Sequence, residues 1–197
     1  MKRLTLLLAA LAAPALASAQ SSTWDFDPAH NQATFTVRHM GVSNVRGEFQ
    51  KMAGKLVLDE KDVTKSTVEA TIEVASVNTR VQKRDDDLRS DAFFNAAKNP
   101  AMTFVSTKVE KAGAGKLKVT GNLTMNGITK PVVLDVAGPT PPIAAFGRTI
   151  RGVSASTTIS RKDWSLNWNK LIEATPIVGD EVKVELEVEL VKNEPKK

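Results

Sequence analysis

From residue 32 onward the chain alternates apolar and polar positions in short runs. Ala33, Phe35, Val37 and His39 alternate with Thr34, Thr36 and Arg38, and Val68, Ala70, Ile72 and Val74 with Glu69, Thr71 and Glu73. Leu117, Val119, Leu123 and Met125 alternate with Lys118, Thr120, Asn122 and Thr124. Val182, Val184, Leu186, Val188 and Leu190 alternate with Lys183, Glu185, Glu187 and Glu189. A period of two with one apolar face predicts half-buried antiparallel strands. About eight such runs are present, at 32–39, 45–58, 66–77, 101–109, 116–125, 128–137, 149–160 and 181–191. Asn126-Gly127 between two of them predicts a two-residue hairpin turn, because both positions tolerate positive φ. The apolar phase slips between Phe49 and Met52, Leu56 and Leu58, which predicts a bulge near residues 51–54.

Each run has one apolar face, and no long amphipathic helix is available to cover a flat sheet. Such a sheet satisfies itself by closing, which also removes its exposed edges. The expected fold is therefore all-β, an antiparallel barrel of about eight strands; a two-sheet sandwich would satisfy the same pattern. A barrel of this size is just wide enough to be filled by side chains or to hold one slender ligand. Ala33, Ala70, Gly121, Gly152 and Ser154 stand among the residues expected inside, and the chain has no tyrosine and only 5% aromatic residues. Both outcomes stay open on the pattern: a hollow tube, or one filled by Phe35, Phe49, Phe104 and the leucines.

One segment, RDDDLRSDAFFNAAKNP (84–100), breaks the alternation. Ser90 as N-cap and Asp91 at the positive end predict a short helix near residues 85–98. Leu88, Ala92, Phe93, Ala96 and Ala97 fall near helical spacing, and Asn99-Pro100 ends the element. Phe93 and Phe94 would then be buried over a barrel end or wall, as a lid touching a ligand or as a plug completing the core.

The ends of the chain bear on compartment. Residues 1–19 combine Lys2 and Arg3, an apolar stretch from Leu4 to Ala17 and Ala17-Ser18-Ala19, the pattern of a cleaved secretory signal peptide. Residues 20–197 then form one exported, periplasmic domain, stabilised by packing because the chain has no cysteine. Removing Lys2 and Arg3 from 27 basic residues leaves 25 against 22 acidic ones, too balanced for a nucleic-acid surface. The tail 193–197 reads as a solvated end.

Motifs for chemistry are missing. There is no G-x-S-x-G, Walker loop or dinucleotide fingerprint. The two histidines, His30 and His39, fit no metal spacing, and His39 reads as an interior or rim residue. Asp85-Asp86-Asp87 lacks the rest of a calcium loop and reads as a solvated face or helix start. The proline-rich, greasy GPTPPIAAFG (138–147) reads either as a lip that touches membrane or as a loop over the core.

Four stretches carry a resemblance: 27–49 (DPAHNQATFTVRHMGVSNVRGEF), 76–107 (SVNTRVQKRDDDLRSDAFFNAAKNPAMTFVST), 119–136 (VTGNLTMNGITKPVVLDV) and 151–168 (RGVSASTTISRKDWSLNW). Together and in this order they resemble the YceI-like family. The resemblance implies a lipocalin-like barrel, exported to the periplasm, that holds an isoprenoid or related lipid tail. It implies a non-enzymatic carrier or store, with no cofactor beyond a bound polyisoprenoid or isoprenoid-quinone-like lipid. The residues it places against that ligand, with the strand phases, are Phe35, Val37, His39, Phe49, Val68, Ile72, Val74, Leu88, Phe93, Phe94, Phe104, Leu123, Leu134 and Trp164. The chain departs from the family pattern at Asp87, where histidine is common, at Val153, where an aromatic is common, and at Ser165, where glycine is common. The expected partner is a small amphiphilic lipid and not nucleic acid, with transient membrane contact and homodimerisation left open. Two other function classes stay in view: an envelope-stress structural protein with a filled barrel, and a hydrolase built on His30 or His39.

Overall fold

The computed structural model describes residues 21–172 and 174–193, so the signal peptide expected over 1–19 lies outside the described residues. The strands are β1 (Ser21–His39), β2 (Ser43–Phe49), β3 (Met52–Asp59), β4 (Thr67–Glu73), β5 (Val77–Asn78), β6 (Ala101–Lys111) and β7 (Lys116–Met125). They continue with β8 (Ile128–Ala137), β9 (Ile143–Ala145), β10 (Arg148–Ser160), β11 (Leu171–Ile172), β12 (Thr175–Pro176) and β13 (Val178–Lys192). A single α-helix is described, α1 (Gln82–Arg89). Eight strands follow one another as antiparallel neighbours, β1, β3, β4, β6, β7, β8, β10 and β13, and the β13–β1 pairing closes the ring. The molecule is a barrel, not a sandwich. One end carries α1 and residues 161–177; the opposite end carries residues 60–66, 112–115 and 138–147.

The turns explain why the strands register as they do. Asn126 and Gly127 both have positive φ, 49° and 73°, and join β7 to β8 as a tight hairpin. The break between β2 and β3 falls at Gln50-Lys51. It is held open by Ser76, whose hydroxyl accepts from the Lys51 N–H at 3.1 Å and donates to the Glu73 carbonyl at 2.6 Å. β1 therefore pairs with β3 near its start and with β2 near its end.

β1 begins far earlier than the alternation indicated. Residues 21–31 contain Pro28 and two aspartates, which hide the period; a bulge between Phe26 and Asn31 accounts for the lost phase. Asp27 ties that bulge. Its buried carboxylate accepts from the Ala29 N–H at 2.8 Å and from Arg148 Nη1 at 3.2 Å, and His30 Nδ1 lies 3.4 Å away. The Ala29 hydrogen bond, aided by the His30 and Arg148 charges, holds the Asp27 carboxyl below the ordinary carboxylate range. A depressed folded-state pKa stabilises the fold above the unfolded value of about 4 and loses that contribution as pH falls through the folded value. Denaturation midpoints should therefore be flat from neutral pH to about 5 and fall below about 4. Asp27→Asn should lower the neutral-pH midpoint and flatten that acid limb, measured by urea titration at each pH.

Two expectations are corrected. The helix runs over 82–89, not 85–98, and Ser90 ends it as C-cap: its N–H donates to the Asp86 and Asp87 carbonyls and its hydroxyl to Asp87 O. Residues 91–98 form turns instead, with Asn95 at φ 47°. On β10 the inward residues are Val153, Ala155, Thr157 and Ile159. Ser154 faces out and donates to Glu187, and Gly152 lies under Thr140 outside the lumen. Small size had suggested the wrong phase there; the apolar members set it.

Candidate ligand-binding site

Inside the barrel lies a hollow of about 180 Å³ whose exposed surface is entirely apolar. Val68, Ala70 and Ile72 of β4, Phe104 of β6, Leu117, Val119 and Leu123 of β7, Leu134 of β8 and Val184, Leu186, Val188 and Leu190 of β13 wall it. Glycines keep the axis open. An added Cβ on Gly54 would strike the Phe26 ring and the Glu69 carbonyl, and one on Gly121 would strike Phe104. The two rings therefore lie flat along the wall, where a glycine has thinned it, and do not cross the lumen. Apolar cavities of about 150 Å³ stay dry and take up small apolar guests. At ~24 cal/mol per Å³, leaving about 180 Å³ empty forgoes roughly 4 kcal/mol of packing.

A second chamber of about 480 Å³ sits at the helix end. Phe35, Val37, Leu88, Phe93 and Trp168 supply its apolar wall; Arg38, His39, Arg84, Asp87 and Lys170 supply polar groups. Phe93 and Trp168 stack with ring centroids 5.0 Å apart. His39 is half-buried, and its imidazole has no hydrogen-bond partner among the described residues.

The residues singled out by sequence thus divide three ways. Val68, Ile72, Phe104, Leu123 and Leu134 line the apolar hollow, and Phe35, Val37, His39, Leu88 and Phe93 line the second chamber. Phe49, Val74, Phe94 and Trp164 line neither; they belong to the packed core, with Val74 and Trp164 at 1% and 2% exposure. Phe49 packs on Phe35 at 5.6 Å and on Phe94 at 5.8 Å between ring centroids, so this aromatic group joins the chamber wall to the core at the helix end. The two spaces approach each other. Phe35 of the chamber stands directly opposite Val184 of the hollow in the β1–β13 ladder. Facing residues in such a ladder have Cβ atoms only about 5 Å apart. Phe93 and Phe94 are half-buried, short of the full burial expected of them.

The family model for the YceI-like domain matches residues 24–190. A UPF0312 protein of Shewanella denitrificans is 36% identical over 188 residues, covering 95% of this chain and 96% of its own. The chain belongs to the YceI-like family. Among solved structures, a Campylobacter jejuni YceI protein superposes with a TM-score of 0.68 at 33% identity, covering 80% of this chain and 90% of its own. A polyisoprenoid-binding domain from Saccharophagus degradans superposes at 0.62 with 16% identity, covering 86% and 98%, a likeness of fold.

In this YceI-like chain the charged segment at 84–89 is a clamp. Asp85 is buried and accepts from both the N–H and the hydroxyl of Thr79, at 2.8 and 2.5 Å. Arg84 donates to the Thr79 hydroxyl and carbonyl, and Arg89 to the carbonyls of Ala75 and Val77. The helix is thus stitched to the barrel end by its own charges. Asp86, paired with Arg89 and Gln82, and Asp87 are exposed as a solvated face would be, and Asp85 stands in the first turn of the helix.

Sequence reading also missed Arg161. It is 4% exposed and donates to the carbonyls of Leu166, Trp168, Val178 and Gly179, with Asp180 at 3.3 Å. Burial pushes its pKa down, and Asp180 partly offsets that. It thereby fixes the loop that carries Trp168, Lys170 and Val178 into the second chamber. A signal existed: Arg161 continues the inward phase of Val153, Ala155, Thr157 and Ile159. Asp27, His30 and Glu189 form the one histidine–carboxylate group within metal-ligating reach among the described residues. It lies outside the lumen, and Ala29 and Arg148 already donate to Asp27.

Proposed function

We propose that this protein is a binder of lipid tails, of the isoprenoid type or a similar slender amphiphile, and not an enzyme. The observation that carries this reading is the apolar hollow along the barrel axis, walled by side chains that leave it unfilled. Each methylene entering such a space gains about 0.8 kcal/mol, so a tail is driven in without directional contacts. The void accommodates a short length of chain at rest, and a longer tail requires wall side chains to move. The polyisoprenoid-binding domain of Saccharophagus degradans, with the same fold, supports isoprenoid as the tail class.

The finer reading is a periplasmic carrier or store. The amino-terminal sequence supports export. The β9–β10 hairpin supports membrane contact: Phe146 at its turn is fully exposed, Ile143 is 58% exposed, and Pro139 just before it touches the hollow. Protein purified from a bacterial periplasm without detergent should show, by native mass spectrometry, an adduct that organic extraction releases as a lipid. A single unliganded mass, with no lipid in the extract and no uptake of added prenol, would overturn the reading.

A further inference from the structure

We propose that the second chamber is a headgroup subsite, and that it selects amphiphiles whose head is an anion, a carboxylate or a phosphate ester. This rests on the lipid-tail reading above and adds the chemistry of the other end of the ligand. The two spaces differ in kind. The axial hollow presents no polar surface, whereas the helix-end chamber sets cations above an aromatic wall.

Arg84 is the central group. Its Nε donates to the Thr79 hydroxyl at 2.7 Å and its Nη2 to the Thr79 carbonyl at 2.8 Å. Thr79 is itself buried and held by Asp85, so the guanidinium is fixed before any ligand arrives. Nη1 is left without a protein partner among the described residues, on a side chain that lines the chamber. A guanidinium pre-set in this way loses little side-chain freedom when it binds an oxyanion, and charge-assisted hydrogen bonds are about twice as strong as neutral ones.

The neighbours reinforce it. Lys170 and Arg38 are cations at the chamber wall, and Arg38 is already tied to the Gly41 carbonyl and to Asn44. Asp87 is the opposing charge, and it has no ion-pair partner among the described residues. His39 offers a further unengaged donor on the β1 side. Three cations against one carboxylate favour an anion over a neutral alcohol. Phe35, Phe93 and Trp168 flank the position where the first carbons of the tail would lie, and Phe35 faces Val184 of the hollow, so the head chamber adjoins the tail hollow.

The test compares heads on a fixed tail. Delipidated full-length mature protein is titrated with oleate and with oleyl alcohol, and in parallel with farnesyl phosphate and farnesol. Expected is at least a tenfold preference for the anion of one pair or both, which also tells carboxylate from phosphate. Arg84→Gln should remove most of that preference, and Arg84→Lys should restore part of it. Lys170→Gln, at an exposed side chain with no partner among the described residues, should lower anion affinity severalfold with no change in melting temperature, and so guards against a folding defect in the Arg84 variants. Equal binding of anion and alcohol by the wild type would overturn the headgroup assignment and leave the tail reading intact. Failure of all four probes to bind would overturn both.

Discussion

Replacing Ala155 with phenylalanine should strip the protein of lipid while leaving it at least as stable as the parent. Ala155 points into the hollow from β10, opposite Leu186 of β13 and beside Val136 of β8. A ring there occupies the space a tail would take. Up to roughly 4 kcal/mol is recoverable by filling a void of about 180 Å³, against an overpacking cost of about 1–3 kcal/mol. At roughly 2–4 °C per kcal/mol for a chain of this size, the lipid-free variant should melt a few degrees above the lipid-free parent. Native mass spectrometry should find no adduct. The control is Ser156→Phe, which puts the same ring on the outer face and should keep the lipid. Lipid retained by Ala155→Phe at parental levels would mean that the ligand lies elsewhere.

Replacing Arg161 with methionine should cost about 3–5 kcal/mol and lower the melting temperature by at least about 6 °C. Methionine fits the volume, but it takes the Arg161 donors from the buried carbonyls of Leu166, Trp168 and Gly179, while Val178 keeps Asn169 and Asp180 keeps Lys162. Lysine should not rescue, since one ammonium cannot span acceptors that a planar guanidinium reaches together. The loop carrying Trp168 should loosen with it. Enhanced solvent quenching of tryptophan fluorescence before global unfolding would report that local effect, and thermal denaturation the global one.

The lumen was legible in the sequence because strands report their faces directly. Val68, Ile72, Phe104, Leu123 and Leu134 were all placed inward by a period of two, and the closed barrel puts them there. Asn126-Gly127 was legible for a similar reason, since a tight turn needs residues that accept positive φ. What failed did so where side-chain chemistry competes with period. The first half of β1 was hidden by Pro28 and its bulge, which rest on Asp27 and Arg148, residues far apart in the chain. The burial of Asp85 was not legible because nothing local shows that Thr79 will hold it. The division of the site also lay beyond reach. Whether Phe49 and Phe94 line a space or pack together depends on where β2 leaves β3, a matter of Ser76 hydrogen bonds and not of hydropathy.

The most direct measurement is a crystal structure of the mature protein purified without detergent, followed by the same crystal form after delipidation. Continuous density should run along the barrel axis past Ile72, Phe104 and Leu186, ending near Arg84, and should vanish after delipidation while the wall stays in place. A lumen closed by inward rotation of Phe104 and Leu123, with density confined to the outer surface, would contradict a hollow barrel that holds a lipid tail.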